Sequence, residues 1–346
     1  MAPEPAPPGN KIGYHSVVGC VDMKSPLLSL PGAVPAEGVD EGVAAHYGDL
    51  FREQRALADG TGFVDLSHRG VVAVTGSDRL SWLHLLLTQH VSDLPAGQAT
   101  EALILSANGH VEHALYLVDD GTTTWAHVEP GTQDALIAYL ESMKFFYRVE
   151  VADRTGDLAV VHLPAGSIAE VPEGVVVRET SYGRDLFLPR ADLEAFARDA
   201  EKHGPAVGLL GYEALRVEQH RPRLGFETDH RTIPHELGWI GSAVHLQKGC
   251  YRGQETVARV QNLGKPPRRL VFLHLDGSEV HLPPHGTELR LADEGAEGRK
   301  IGFITTSVRH HELGPIALAL VKRNVPLDAR LTADATAAAQ EVVVEP

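Results

Sequence analysis

The stretch Lys248-Gly249-Cys250-Tyr251-Arg252-Gly253-Gln254-Glu255 decides how this chain is read. A lone cysteine is most often a small buried hydrophobe. Here a lysine stands two residues before it and an arginine two residues after it. Cations that converge on a thiol favour the thiolate and lower its pKa. The flanking glycines permit tight turning, or close approach of a ligand to the backbone. From Lys248 to Arg269 the positive residues are Lys248, Arg252, Arg259, Lys265, Arg268 and Arg269, against Glu255 alone. A local positive surface on an acidic chain is a candidate anion site. By composition alone, a solvated loop with a structural cysteine fits the stretch equally well.

The rest of the chain sets bounds on that site. It has 346 residues and a formal net charge of −15, which argues against non-specific nucleic-acid or anionic-membrane binding. With 43% apolar and 22% charged residues it reads as a soluble globular protein of about two domains. The two cysteines, Cys20 and Cys250, allow no disulfide framework beyond one bridge, so a reducing compartment is expected. There is no CxxC pair, GxGxxG, GxxxxGK[ST] or HExxH, so no metal ligand is assigned. The start, Met1 to Asn10, lacks the layout of a signal peptide, and no apolar run approaches bilayer length. A cytoplasmic protein with no membrane contact is expected.

Composition and periodicity predict the organisation. Residues 1–38 are Pro- and Ala-rich and read as a flexible tail. Val43 to Ala58 follows helical spacing. Phe63 to Val74 reads as two short strands, followed by a helix from Asp78 to about Thr88 with Ser77 as its cap. Asn108-Gly109 between two β-rich runs predicts a hairpin, and Asp119-Asp120-Gly121 a second turn. Helices are expected over Thr132 to Met143, Ala191 to His203 and Tyr212 to Glu218, and strands over Phe145 to Val151 and Leu158 to Leu163. After Lys265-Pro266-Pro267 come short apolar runs at regular spacing: Leu270 to Leu275, Glu279 to Leu282, Thr287 to Leu291, Ile301 to Ser307, Ile316 to Val321 and Glu341 to Val344. They predict a small β-barrel or sandwich over residues 265–346, behind an α+β core over residues 39–264.

The octet, with Ala258-Arg259 after it, resembles the signature of the YgfZ family, folate-binding proteins linked to iron–sulfur cluster assembly and repair and to tRNA modification that depends on such clusters. That family shares its fold with the glycine cleavage T-protein, the tetrahydrofolate-dependent aminomethyltransferase. Further pieces occur in the expected order: Asp65-Leu66-Ser67, Val74-Thr75-Gly76-Ser77-Asp78, Gly211 to Glu218, Pro234-His235-Glu236, Ile301-Gly302 and Thr305-Thr306-Ser307. Together the similarity runs from about residue 42 to the end.

The resemblance implies an α+β, aminomethyltransferase-like fold in three subdomains around a folate cavity, with a C-terminal β-barrel. It implies tetrahydrofolate or a derivative as cofactor, and iron–sulfur client proteins or assembly factors as partners, without direct nucleic-acid contact. Cys250 is implied as a functional thiol beside Lys248, and Tyr251, Arg252, Gly253, Gln254, Glu255 and Arg259 as folate-proximal. Cys20 lies outside the match and is given no role. One departure separates two branches. The T-protein hairpin supplies an acidic residue beside the folate nitrogen, whereas the equivalent positions here are His113 and Ala114, with Glu112 one step away. A one-step offset points a strand residue to the opposite face. Tyr182-Gly183-Arg184-Asp185 likewise replaces the T-protein's glutamate-bearing turn. The accessory role is therefore expected ahead of aminomethyl transfer or demethylation. A scaffold with a decayed pocket is the third reading.

Overall fold

The computed structural model describes residues 24–278, 281–295 and 297–345. Cys20 and part of the expected strand at Glu279 to Leu282 lie outside the described residues. The chain opens with β1 (Val34–Pro35) paired to β2 (Ala44–His46), then α1 (Leu50–Ala58). This helix starts later than its apolar spacing suggests because Asp49 caps it, its side chain accepting from the Arg52 amide at 3.0 Å. Residues 24–38, read as tail from their composition, pack on the core through Leu27. The Ser25 hydroxyl donates to Asp65.

Next come β3 (Phe63–Asp65), β4 (Gly70–Thr75), α2 (Arg79–Leu86), β5 (Ala99–Leu105), β6 (Val111–Asp119), β7 (Thr123–Val128), α3 (Gln133–Ser142) and β8 (Glu150–Asp153). β4 to β8 form one five-stranded sheet, ordered β5-β6-β7-β4-β8. The Asn108-Gly109 turn joins β5 to β6 as the sequence predicts. The expected strand at Phe145 does not begin there. Phe145 takes a left-handed conformation at φ 43°, and it and Phe146 turn outward, 78% and 85% exposed. A β-branched-rich reading cannot see that break, because it counts side chains rather than backbone angles.

A second sheet interleaves with the first. It uses β9 (Leu158–Pro164), β10 (Val176–Thr180), β11 (Gly183–Pro189) and, after α4 (Leu193–Ala200), β12 (Ala206–Val207). Its order, β10-β11-β9-β3-β12, brings β3 back from before the first sheet. Then α5 (Leu209–Glu218) and α6 (Gln254–Leu263) lead to the C-terminal strands β13 (Arg268–Leu275), β14 (Glu288–Leu291), β15 (Gly302–His310), β16 (Gly314–Lys322), β17 (Arg330–Ala333) and β18 (Thr336–Val342). These six close into a barrel ordered β13-β16-β15-β14-β17-β18.

Alternation along β16 explains the unbroken apolar run Ile316 to Val321. Ala317, Ala319 and Val321 fill the barrel, whereas Ile316, Leu318 and Leu320 pack outward against Ala214 and Val217 of α5 and Trp239. Burying each such leucine or isoleucine contributes about 1.5–3 kcal/mol. Polar contacts reinforce this seam. Glu227, fully buried, accepts from Arg216 Nη1 at 3.0 Å, the Arg223 amide at 2.8 Å, Thr305 Oγ1 at 2.9 Å and Thr306 Oγ1 at 2.6 Å. Among the described residues no helix is long and apolar enough to cross a membrane.

Candidate functional site

Where the two sheets, α5 and the barrel's last segment meet, they enclose a cavity of about 600 Å³. β5 and β6 contribute Glu101 and Tyr116, β7 His127, the β10–β11 turn Ser181 and Tyr182, and β11 Asp185. α5 and the loop after it bring Tyr212, Arg216, Arg221 and Arg223, and Trp239 and Val343 close the far side. The aromatic and polar mixture and the volume are those of a small-molecule site.

Asp185 anchors the polar wall. Its Oδ1 meets His162 Nδ1 at 2.8 Å, and its Oδ2 meets His127 Nε2 at 3.1 Å and accepts from Arg178 Nη1 at 2.8 Å. Burial opposes its ionisation, but the bonds to His127 and His162 outweigh burial and hold the carboxyl well below the usual range. Burial pushes His127 down to about 4 despite that partner, so the ring is neutral at neutral pH. The neutral ring stacks on Tyr116, centroids 4.7 Å apart and planes 18° apart. Gly183 permits this arrangement. Its φ is +145°, and a Cβ there would strike the Leu163 carbonyl and the His162 ring. Glu101 stands beside the cluster. Its Oε1 accepts from Arg178 Nη2 and from Tyr182 Oη, both at 3.3 Å.

The cationic side is largely neutralised. Arg69 pairs with Glu129 at 3.4 Å. Arg216 pairs with Glu213 and Glu227 at 2.8 and 3.0 Å. Arg223 donates to Glu129 at 2.6 Å and to Asp40 at 3.0 Å. Asp40 itself comes from the short turn Gly38–Asp40 between β1 and β2.

The octet lies elsewhere. None of Lys248, Cys250, Tyr251, Arg252, Gly253, Gln254, Glu255 and Arg259 lines this cavity. Cys250 is a free, exposed thiol. The flanking cations are held by other partners. Lys248 is buried, its ammonium donating to the His84 carbonyl and, at 2.6 Å, to the Leu87 carbonyl at the end of α2. Burial pushes that amine down to about 8, with Cys250 acting the other way. Arg252 pairs at 3.0 Å with Glu112. Tyr251 is packed in the core with Val257 and Trp239. Gly253, at φ +82°, caps α6, which carries Gln254, Glu255 and the exposed Arg259. The octet's backbone rests on the β5–β6 turn, with Gly253 against Ser106 and Gly109.

In the hairpin, Ala114 is buried in the core, and Glu112 is exposed and turned to Arg252. The carboxylates facing the cavity are Glu101 and Asp185. Asp185 and Tyr182 stood in a turn already singled out by sequence. Glu101, Tyr116, His127 and Arg221 did not stand out. For Tyr116 and His127 the available signal was a polar ring between two apolar neighbours, Leu115 and Leu117 for the first, Ala126 and Val128 for the second. For Arg221 it was the Arg221-Pro222-Arg223 triplet directly after a helix.

This fold, two interleaved sheets followed by a closed six-stranded barrel, is the aminomethyltransferase fold. The crystal structure of glycine cleavage system aminomethyltransferase T from Bartonella henselae superposes with a TM-score of 0.76 over 92% of this chain and 95% of that one, at 19% identity. Residues 43–170 match the family described as the GCVT N-terminal domain. Over 334 residues the chain is 26% identical to an aminomethyltransferase of Herpetosiphon aurantiacus, covering 86% of this chain and 90% of that one. It is 27% identical over 361 residues to an aminomethyltransferase of Halalkalibacterium halodurans, covering 93% of each. A putative chloroplastic transferase of Arabidopsis thaliana is 24% identical over 77% of this chain and 66% of its own length.

Proposed function

We propose that this chain is a tetrahydrofolate-binding accessory protein that supports iron–sulfur cluster assembly or repair and the tRNA modification depending on it. The observation that carries this reading is the hairpin, where His113 and the core-packed Ala114 stand in place of a carboxylate and Glu112 is committed to Arg252. An aminomethyl transfer needs such a group to orient the amine and manage its proton.

The cavity's chemistry fits a reduced folate. A pterin is a flat heterocycle with N–H donors on one edge. Tyr116, Tyr182, Tyr212 and Trp239 offer aromatic faces, and the two bonds Glu101 accepts both fall on Oε1. Folate, when bound, supplies one-carbon carrying capacity at its ring nitrogens. The chain's own residues bind and orient: Glu101 accepts, Tyr182 and Arg178 fix Glu101, and His127 stays neutral. Cys250 is then the working thiol at the surface, reaching clusters through a partner, because one thiolate cannot hold a cluster alone.

The test pairs binding with complementation. Wild type and Cys250→Ala are expected to bind tetrahydrofolate equally in calorimetry, to release no aminomethyl-derived product, and to differ in rescuing cluster-dependent enzymes in a deletion strain. Full rescue by Cys250→Ala removes the thiol role. Failure of wild type to bind tetrahydrofolate removes the folate reading.

A second reading, folate-dependent one-carbon transfer, is favoured by one observation. Glu101 is a part-exposed carboxylate facing the cavity from β5, the first arm of the same hairpin, opposite Tyr116. Measurable aminomethyl transfer by wild type, lost in Glu101→Gln, would establish it.

A further inference from the structure

A second cavity of about 260 Å³ adjoins the first and shares Ser181, Tyr182, Tyr212, Gln219 and Arg221 with its wall. Arg221 therefore stands at the junction. Among the described residues it is the arginine of the main cavity that has no carboxylate partner, whereas Arg69, Arg216 and Arg223 each have one. Its buried Nε has no hydrogen-bond partner. An unmet buried donor is costly, and a ligand acceptor removes that cost.

The guanidinium is also held ready. Its carbon lies 4.0 Å from the Tyr182 ring centroid and 5.2 Å from that of Tyr212, and its Nη1 donates to Tyr212 Oη at 3.3 Å. Arg216 Nη1 donates to the Arg221 carbonyl, which pins the backbone. A planar fork fixed between two rings loses little freedom on binding and matches a planar acceptor of two oxygens. The smaller cavity also contains Glu218 and the His162 ring, which burial shifts toward its neutral form. That charge balance suits a monoanion rather than a phosphate dianion.

We infer that Arg221 is a carboxylate-binding subsite at the junction of the two cavities. The carboxylate comes either from the glutamate portion of a folate-type ligand or from a separate amino acid bound beside it. The inference rests on the folate reading for its choice of probe.

Tetrahydrofolate and 6-methyltetrahydropterin, which keeps the ring and carries no carboxylate, are titrated calorimetrically into wild type, Arg221→Gln and Arg221→Lys. Free glycine, free glutamate and inorganic phosphate are titrated into the same proteins, bare and saturated with the pterin. Arg221→Gln is expected to weaken one carboxylate ligand about 10- to 100-fold and to leave the pterin unchanged. Loss on tetrahydrofolate means that the ligand's own carboxylate fills the subsite, and loss on a free amino acid means a separate one. Arg221→Lys keeps the charge without the fork and falls between; it carries the comparison if the Gln variant melts early. Equal affinities of wild type and both variants for every carboxylate, with tetrahydrofolate still bound, overturn the subsite and leave the folate reading standing. Tighter binding of phosphate than of any carboxylate also overturns it. Wild type that binds neither pterin nor tetrahydrofolate overturns the folate reading, and the amino-acid titrations of bare protein then decide the subsite on their own.

Discussion

His113 is the plainest titration in the molecule, because burial alone pushes its pKa from 6.5 down to about 4. The unfolded chain therefore holds one more proton at this site between pH 4 and 6.5. Stability contributed by the neutral ring is complete above pH 6.5 and is lost as pH falls through that window. His113→Phe is expected to remove about one proton's worth of slope, about 1.4 kcal/mol per pH unit, from urea stability measured between pH 6.5 and 4. An unchanged slope would show that the ring is solvated. Lys248 behaves oppositely in range. Its folded pKa of about 8 lies below the ordinary 10.5, so the buried ammonium costs stability below pH 8, and that cost is relieved as pH rises toward 10.5. Lys248→Met should lack this alkaline gain. It should also lose about 2–3 kcal/mol at pH 7, because the His84 and Leu87 carbonyls are left without their donor.

At the scale of elements, the octet works as a joint between α6, α2 and the β5–β6 hairpin. A Cβ at Gly253 would come within 2.5 Å of the Ser106 carbonyl oxygen and 2.9 Å of Gly109 Cα, both backbone atoms that cannot swing aside. Gly253→Ala adds left-handed strain to that clash and is expected to cost about 3 kcal/mol, read as a lowered melting temperature. A variant melting with wild type would mean that the hairpin tip yields freely. Most of this layer was legible in the sequence. The Asn108-Gly109 hairpin, the helices near Thr132 and Tyr212 and the start of the barrel after Pro267 all follow from turn chemistry and periodicity. What escaped had a physical cause. α6 hides in a charged stretch with Val257 as its one fully buried side chain, so it has almost no apolar period. β17 is four residues long, too short for alternation to register. The cavity residues escaped because their partners are distant in sequence. Asp185 gathers His127, His162 and Arg178 from three other strands, and no local spacing announces that meeting.

At the scale of the whole molecule, Glu227 ties the α5 region to the barrel. It is buried without exposure and takes donors from Arg216, Arg223, Thr305 and Thr306. Removing one member of a buried ionic cluster leaves the others uncompensated, at about 3–5 kcal/mol. Glu227→Ala is expected to split a single denaturation transition into two, with the barrel and the sheet layers responding separately to denaturant. One coincident transition by fluorescence and circular dichroism, at unchanged midpoint, would show that the apolar seam alone couples them.

The cavity's wall runs from Arg69, just before β4, to Val343, just beyond the last barrel strand. That wall therefore draws on residues from nearly the whole length of the chain, and structure built from such non-local pairings is slow to assemble. A partly folded chain that owns every strand of both sheets still lacks the finished wall. Occupancy of the cavity then works as a checkpoint for completeness. A ligand that recognises only the finished wall would pull nearly assembled chains to the native state by mass action, and the cellular supply of that ligand would set how much finished protein survives proteolysis.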